Sequence, residues 1–299
     1  MSTLKNIAIA GATGSLGSVV ADKVIASGHF NVTLLKRAGS TGTVPEGVRI
    51  IEVDYESQSS LQAALEGQDA VVSILATLAA DAQITLIDAA IAAGVKRFLP
   101  SEFGCKLDNP NTRKIPIFAA KVKVEDYLKA KSKETSLTYT FIYTSALLDW
   151  GITHNFIVDL TTSTPQVLDD GELEFSATSL DTVGQGVVGV LLHPDETKNR
   201  AVHIHDQIIT QNKVLALARK AFPEKEWVPK SASLKEEYNK AEADLFKGKV
   251  DFPIFATLIF RGLMDPEYGG LFKENDNELL GLKVKGDEFI IDTIRAHLA

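Results

Sequence analysis

Six short apolar runs mark the first half of the chain, at residues 6–10, 31–35, 48–53, 70–74, 97–99 and 138–143, and each predicts a β-strand. Several are apolar without alternation, the pattern of parallel strands covered on both faces, and the stretches between them suit helices. This β-α-β rhythm predicts an α/β fold with a Rossmann-type, doubly wound parallel sheet. After Asp149 the rhythm changes. Polar segments at 161–165 and 169–171 precede a predicted helix over 181–192 and a further strand over 201–205. From Lys213 onward amphipathic helical stretches alternate with charged segments such as 235–240. The chain therefore divides into a sheet-forming domain over residues 1–150 and a smaller C-terminal α+β lobe over 151–299, partly interleaved with the sheet.

Composition narrows what such a fold can do. With 299 residues, 45% hydrophobic and 23% charged, the chain has the profile of a soluble protein with a substantial core. Its longest apolar tract, residues 70–95, is broken by Asp81, Gln83, Asp88 and Gly94, so it reads as strand, loop and helix rather than a membrane span. The first residues lack the basic and apolar regions of a signal peptide. A net charge of -8 argues against nucleic acid or an anionic membrane as partner, so any bound polyanion must be held locally. Cys105 is the sole cysteine, which excludes a disulfide framework and points to a reducing compartment, the cytoplasm. His203 and His205 share a strand face but have no further ligand cluster beside them, so no metal is expected. No Gly-x-Ser-x-Gly elbow supports hydrolase chemistry.

The strongest motif follows the first strand directly. Gly11, Thr13, Gly14, Ser15, Leu16 and Gly17 belong to the run Gly-Ala-Thr-Gly-Ser-Leu-Gly, which opens a predicted helix. Small residues are needed there because the backbone must turn sharply and let a pyrophosphate reach the amides at the helix N-terminus. The next strand ends at Lys36-Arg37, where an NAD site would place a carboxylate, and no carboxylate follows before Glu46. Arg37, helped by Lys36 and Ser40, suits a ribose 2'-phosphate, so NADPH/NADP+ is the expected cofactor.

With that loop, the run Arg97-Phe-Leu-Pro-Ser-Glu-Phe-Gly104 resembles the NmrA-like, isoflavone reductase-like branch of the atypical short-chain dehydrogenases. Gln83-Ile-Thr-Leu-Ile-Asp-Ala-Ala, Ala93-Gly-Val and Phe118-Ala-Ala-Lys-Val-Lys extend the resemblance in the family's order. It implies an NADPH-dependent reductase, acting as monomer or homodimer on a small aromatic molecule of the kind found in secondary metabolism. It also implies Lys121 as general acid/base and Phe103 beside the nicotinamide. Read from the residues alone, Lys121 falls on a stripe with Ile117, Ala120, Val124 and Leu128. Two roles fit that position: a lysine buried in a cleft, its pKa drawn toward neutrality, or an edge lysine reaching solvent.

Tyr127 and Lys131 form the Tyr-x-x-x-Lys spacing of typical short-chain dehydrogenases. At about 100° per residue, however, Tyr127 sits about 120° around the helix from Lys121, so the two address different surroundings. The segment from Thr144 to Trp150 departs from the plant reductases, which leaves substrate shape undefined. Trp150, His154 and Phe156 follow it as pocket or core aromatics, and Trp150 and His154 are carried as substrate-side candidates with Phe103. Two other functions compete. A non-catalytic NmrA-like regulator would sense NADP without turnover, and an epimerase would hold NAD tightly, a use that Arg37 opposes.

Overall fold

The computed structural model describes residues 3–40, 42, 45, 47–76, 79 and 82–299, so Glu46 and Asp81 lie outside the described residues. Its first half winds β1 (Asn6–Ala10), α1 (Ser15–Ala26), β2 (Asn31–Arg37), β3 (Arg49–Val53), α2 (Gln58–Leu65), β4 (Ala70–Ser73), α3 (Ala82–Ala92), β5 (Arg97–Leu99), α4 (Ala119–Glu134) and β6 (Thr138–Tyr143). The second half adds β7 (Ala146–Leu147), α5 (Leu148–Thr153), β8 (Gln166–Leu168), β9 (Phe175–Thr178), α6 (Leu180–Leu192), β10 (Arg200–His203), β11 (Gln207–Ile209) and α7 (Gln211–Ala221). It ends with β12 (Lys230–Ala232), α8 (Leu234–Phe246), α9 (Phe252–Met264) and α10 (Asp287–Leu298).

Seven strands form one parallel sheet in the order β10-β6-β5-β4-β1-β2-β3. The chain lays β2 and β3 on one side of β1, then crosses to β4 and builds outward the other way. That reversal leaves a crevice at the carboxyl ends of β1 and β4, the point where open α/β sheets bind ligands. β10 comes from the second half of the chain, which is therefore woven into the sheet. Two small sheets, β11-β9-β7 and β12-β8, lie outside it.

Alternate residues of each strand feed two cores, as a period of two requires. Ile7, Ile9, Leu34, Val72 and Ile142 face Val20 and Val24 of α1 and Val183, Val187 and Val190 of α6. Ala8, Ala10, Val71, Phe98 and Phe141 face the other way, toward Leu61 of α2, Leu86 of α3 and Leu128 of α4. α1 is tied to α6 by Lys23 Nζ, 2.5 Å from Asp181, whose carboxylate also meets Lys285 Nζ at 3.0 Å. The helix that follows the glycine turn is thus anchored along its length.

Several boundaries differ from the sequence expectation, each for a local reason. β2 runs on to Arg37 because Lys36 and Arg37 still pair with Glu52 and Val53 of β3. β10 stops at His203, since the His205 amide donates instead to Asn277 Oδ1. Ile117 is not on α4: Pro116 opens a separate 3-10 turn over Pro116–Phe118, which shortens the anticipated stripe. The small sheets escaped notice because strands of two to four residues are too short to show a period.

Arg97 ties the edge of the sheet together. It is 3% exposed, and it donates from Nε to Thr138 Oγ1 at 2.8 Å, from Nη1 to Thr140 Oγ1 at 2.9 Å and to Thr197 Oγ1 at 3.1 Å, and from Nη2 to the Pro194 carbonyl at 2.5 Å. Arg97→Ala strands these buried acceptors and should cost about 3 kcal/mol, read as a lower midpoint in denaturant unfolding.

Candidate active site

The crevice at the sheet reversal is a cleft of about 890 Å³. Its floor is the glycine turn. Gly11 has φ +86°, and a Cβ there would stand 2.3 Å from the Ile74 carbonyl oxygen; one at Gly17 would stand 2.0 Å from the Gly11 oxygen. Those two glycines are dictated by backbone packing. At Gly14 the nearest atom to a Cβ is 3.8 Å away, so that face is open to the cleft.

Where α6, α7, α8 and α9 begin, a Ser, Thr or Asp side chain accepts from a first-turn amide. α1 begins on Gly14 with no such side chain and no acidic residue in its first turn. Its amides and the positive end of its dipole are left for an anion. The turn therefore fits a dinucleotide pyrophosphate on the evidence of its own shape and donors.

Arg37 and Lys36 line the cleft where β2 ends. Arg37 is exposed and, among the described residues, forms no salt bridge. Beside it lie Asp54, Tyr55 and Glu56 at the end of β3, none of them anticipated from the sequence. Tyr55 donates to the Leu35 carbonyl at 3.2 Å, and burial raises its phenol above the usual range against the pull of Arg37. Their signal was available: they follow β3 directly, as Arg37 ends β2.

The opposite wall comes from the loop after β5. Ser101 is fixed by accepting no freedom at either end: its amide donates to Gln83 Oε1 at 2.8 Å and its hydroxyl to the Leu75 carbonyl at 2.7 Å. Phe103 takes φ +37°, rare for a residue with a side chain, and is held there by the hydrogen bond its amide donates to the Ile142 carbonyl at 3.0 Å. Gly104 secures the same loop by accepting from the amides of Thr144 and Ser145. Backbone strain kept in place by surrounding bonds is characteristic of functional loops.

Lys121 reaches this wall from the first turn of α4. It is half-buried, and its Nζ donates to the Glu102 carbonyl oxygen at 2.6 Å. The Glu102 side chain is enclosed, and burial pushes its carboxyl up to about 8, with the Lys121 charge opposing the rise. Nearby Glu125 is buried too but fully partnered: Arg113 Nη1 at 2.7 Å, Lys129 Nζ at 3.2 Å and the Tyr143 hydroxyl at 2.5 Å.

The structure brings Gly11, Thr13, Gly14, Ser15, Leu16, Gly17, Arg37, Phe103, Lys121 and Trp150 to one cleft. His154 is not on its lining; it is exposed, stacked 4.5 Å from Trp150, with Nδ1 against the Trp150 carbonyl. Phe156 lies behind Trp150 and packs 4.7 Å from Phe260 of α9. Tyr127 faces away from the cleft and donates to Asp88 Oδ1 at 2.5 Å; burial and that carboxylate push its phenol up to about 12, opposite to what a proton donor at neutral pH needs. His203 sits 3.6 Å from Asp108, and His205 bonds Ser176 and Asn275.

A parallel sheet that opens at its reversal onto a glycine turn defines the class: a Rossmann-type dinucleotide-binding protein. Family comparison makes this more specific, since the NmrA-like family model matches residues 3–246, and the chain belongs to that family. Oxidoreductase aprR of Aspergillus flavus is 34% identical over 301 residues, covering 98% of this chain and 99% of the relative. Isoflavone reductase of Medicago sativa is 26% identical over 268 residues, 79% and 82% of the two chains. Among solved structures, AtPrR2 with NADP+ and (+)pinoresinol shares the fold, with a TM-score of 0.78 at 20% identity and 100% coverage of both chains.

The two kinds of glycine give separable outcomes. Gly14→Val should fold with an unchanged thermal midpoint yet lose dinucleotide binding in calorimetry, because its side chain projects into the cleft. Gly17→Ala should lower the midpoint itself, because its Cβ meets backbone that cannot move aside.

Proposed function

We propose that this chain is an NADPH-dependent reductase of a small aromatic substrate, with Lys121 as its general acid/base. The observation that carries the reading is Lys121 itself: its ammonium is held by the Glu102 carbonyl on the wall of the cleft floored by the glycine turn. Support for the chemistry comes from relatives named as an oxidoreductase and an isoflavone reductase, and from a structural neighbour carrying NADP+ and pinoresinol.

In this reading the turn from Gly11 to Gly17 takes the pyrophosphate, and Arg37 pairs with the 2'-phosphate. Phe103 packs beside the nicotinamide. NADPH, when bound, supplies the hydride; Lys121 gives the substrate its proton and takes one back in the reverse direction. Residues 1–150 hold the cofactor, and residues 151–299 form the substrate lobe. Trp150 presents an aromatic face at its edge, and His154 stacks on its indole. The enzyme works in the cytoplasm, as monomer or homodimer, in secondary metabolism.

Lys121→Ala should cut turnover by about 10²–10⁴-fold while the dissociation constant for NADPH stays within about twofold, measured by steady-state kinetics and fluorescence titration. Unchanged turnover would refute proton transfer by Lys121. Arg37→Ala should weaken NADPH about 10-fold or more and leave NADH unaffected, because only NADPH carries the extra phosphate. Equal losses for both cofactors would remove the 2'-phosphate assignment.

A further inference from the structure

The wall that carries Lys121 is closed on itself by a ring of hydrogen bonds, and the far side of that ring has no part in the proposed chemistry. Lys121 Nζ donates to the Glu102 carbonyl at 2.6 Å. One residue on, the Phe103 amide donates to the Ile142 carbonyl of β6 at 3.0 Å. The next residue of β6, Tyr143, is fully buried and donates its hydroxyl to Glu125 Oε1 at 2.5 Å. Glu125 follows Lys121 by four residues, about one turn of α4, and so returns the ring to its start.

Glu125 is the unusual member, a fully buried acid between a helix and a strand. Taking its charge out of water is costly even when it is paired, and apolar packing of the same volume would join α4 to β6 at least as firmly. What the charge adds is direction. Arg113 Nη1, from a 3-10 turn over Thr112–Lys114, and Lys129 Nζ reach Oε2 at 2.7 and 3.2 Å, while Tyr143 takes Oε1. Arg113 also grips the next residue of the helix, donating from Nη2 to Asp126 Oδ1 at 2.7 Å. To turn about its axis or slide along β6, α4 would have to break charge-assisted bonds to two other elements.

We propose that Glu125, together with Tyr143, is a positioning residue for Lys121: the bond between α4 and β6 sets where the ammonium stands in the cleft wall. The inference rests on the reductase reading. Neither Glu125 nor Tyr143 lines the cleft, so both act through Lys121 and the loop it bonds, without touching substrate or cofactor.

Tyr143→Phe tests this, because it removes one hydroxyl and leaves Glu125 its two cations. In steady-state kinetics kcat should fall about 10-fold, with KM and the dissociation constant for NADPH within about twofold of the parent. Tyr127→Phe is the control: it deletes an equally short hydroxyl bond from the same helix, to Asp88 on the side away from the cleft, and should leave kcat unchanged. The double variant separates positioning from general loosening. On a Lys121→Ala background, Tyr143→Phe should alter the residual turnover by less than about twofold, since no ammonium is left to place. The same fall on both backgrounds overturns the proposal, as does a fall in Tyr127→Phe that matches Tyr143→Phe, or full activity in Tyr143→Phe. A Lys121→Ala enzyme that turns over like the parent overturns the reductase reading beneath it instead.

Discussion

The reversal of winding between β1 and β4 is the constraint on which the site depends. Parallel strands need crossovers that pack back on the sheet with one hand, so a chain that builds first one way and then the other must part its connections at the reversal. Here the parting falls between the glycine turn after β1 and the loops after β4 and β5. No side chain has to create the cleft, because topology leaves it open, and the residues at the strand ends only decide what enters.

What enters is set by what is missing as much as by what is present. α1 lacks the capping side chain that α2, α6, α7, α8 and α9 possess, and Gly14 leaves its face bare. The end of β2 carries cations where a carboxylate would exclude a phosphate. Across the cleft the loop after β5 is over-determined, with Ser101, Phe103 and Gly104 each fixed by bonds to neighbouring strand ends. A pyrophosphate can thus be met by a turn shaped in advance, and a reacting group by a wall that does not need to reorganise.

The fold was legible because parallel strands buried on both faces are uninterrupted apolar runs, and six of the seven large-sheet strands lie in the first half of the chain. The glycine turn and Arg37 were legible for the same reason: each stands at a strand end whose place the pattern fixes. Lys121 was singled out by the resemblance, since its stripe alone suited an edge lysine as well as a cleft lysine. The short strands β7 to β9 and β11 to β12 were not, since two to four residues carry no period. Glu102 was part of a quoted motif, but its buried carboxyl depends on α4 and β6 meeting in space, over sequence separations that pattern alone does not resolve. His154 looked like a pocket residue because it follows Trp150; the helix turns it outward, where it stacks on the indole instead.

The central claim is that this cleft moves a hydride, and deuterium answers it most directly. Protein supplied with NADPH deuterated at the transferring position, and with a panel of aromatic ketones, enones and benzylic ethers, should yield a product carrying one deuterium for each NADPH consumed, read by mass spectrometry. Tight NADPH binding with no deuterium in any product, accompanied by a protein partner whose affinity changes between NADP+ and NADPH, would contradict the account and identify a sensor in its place.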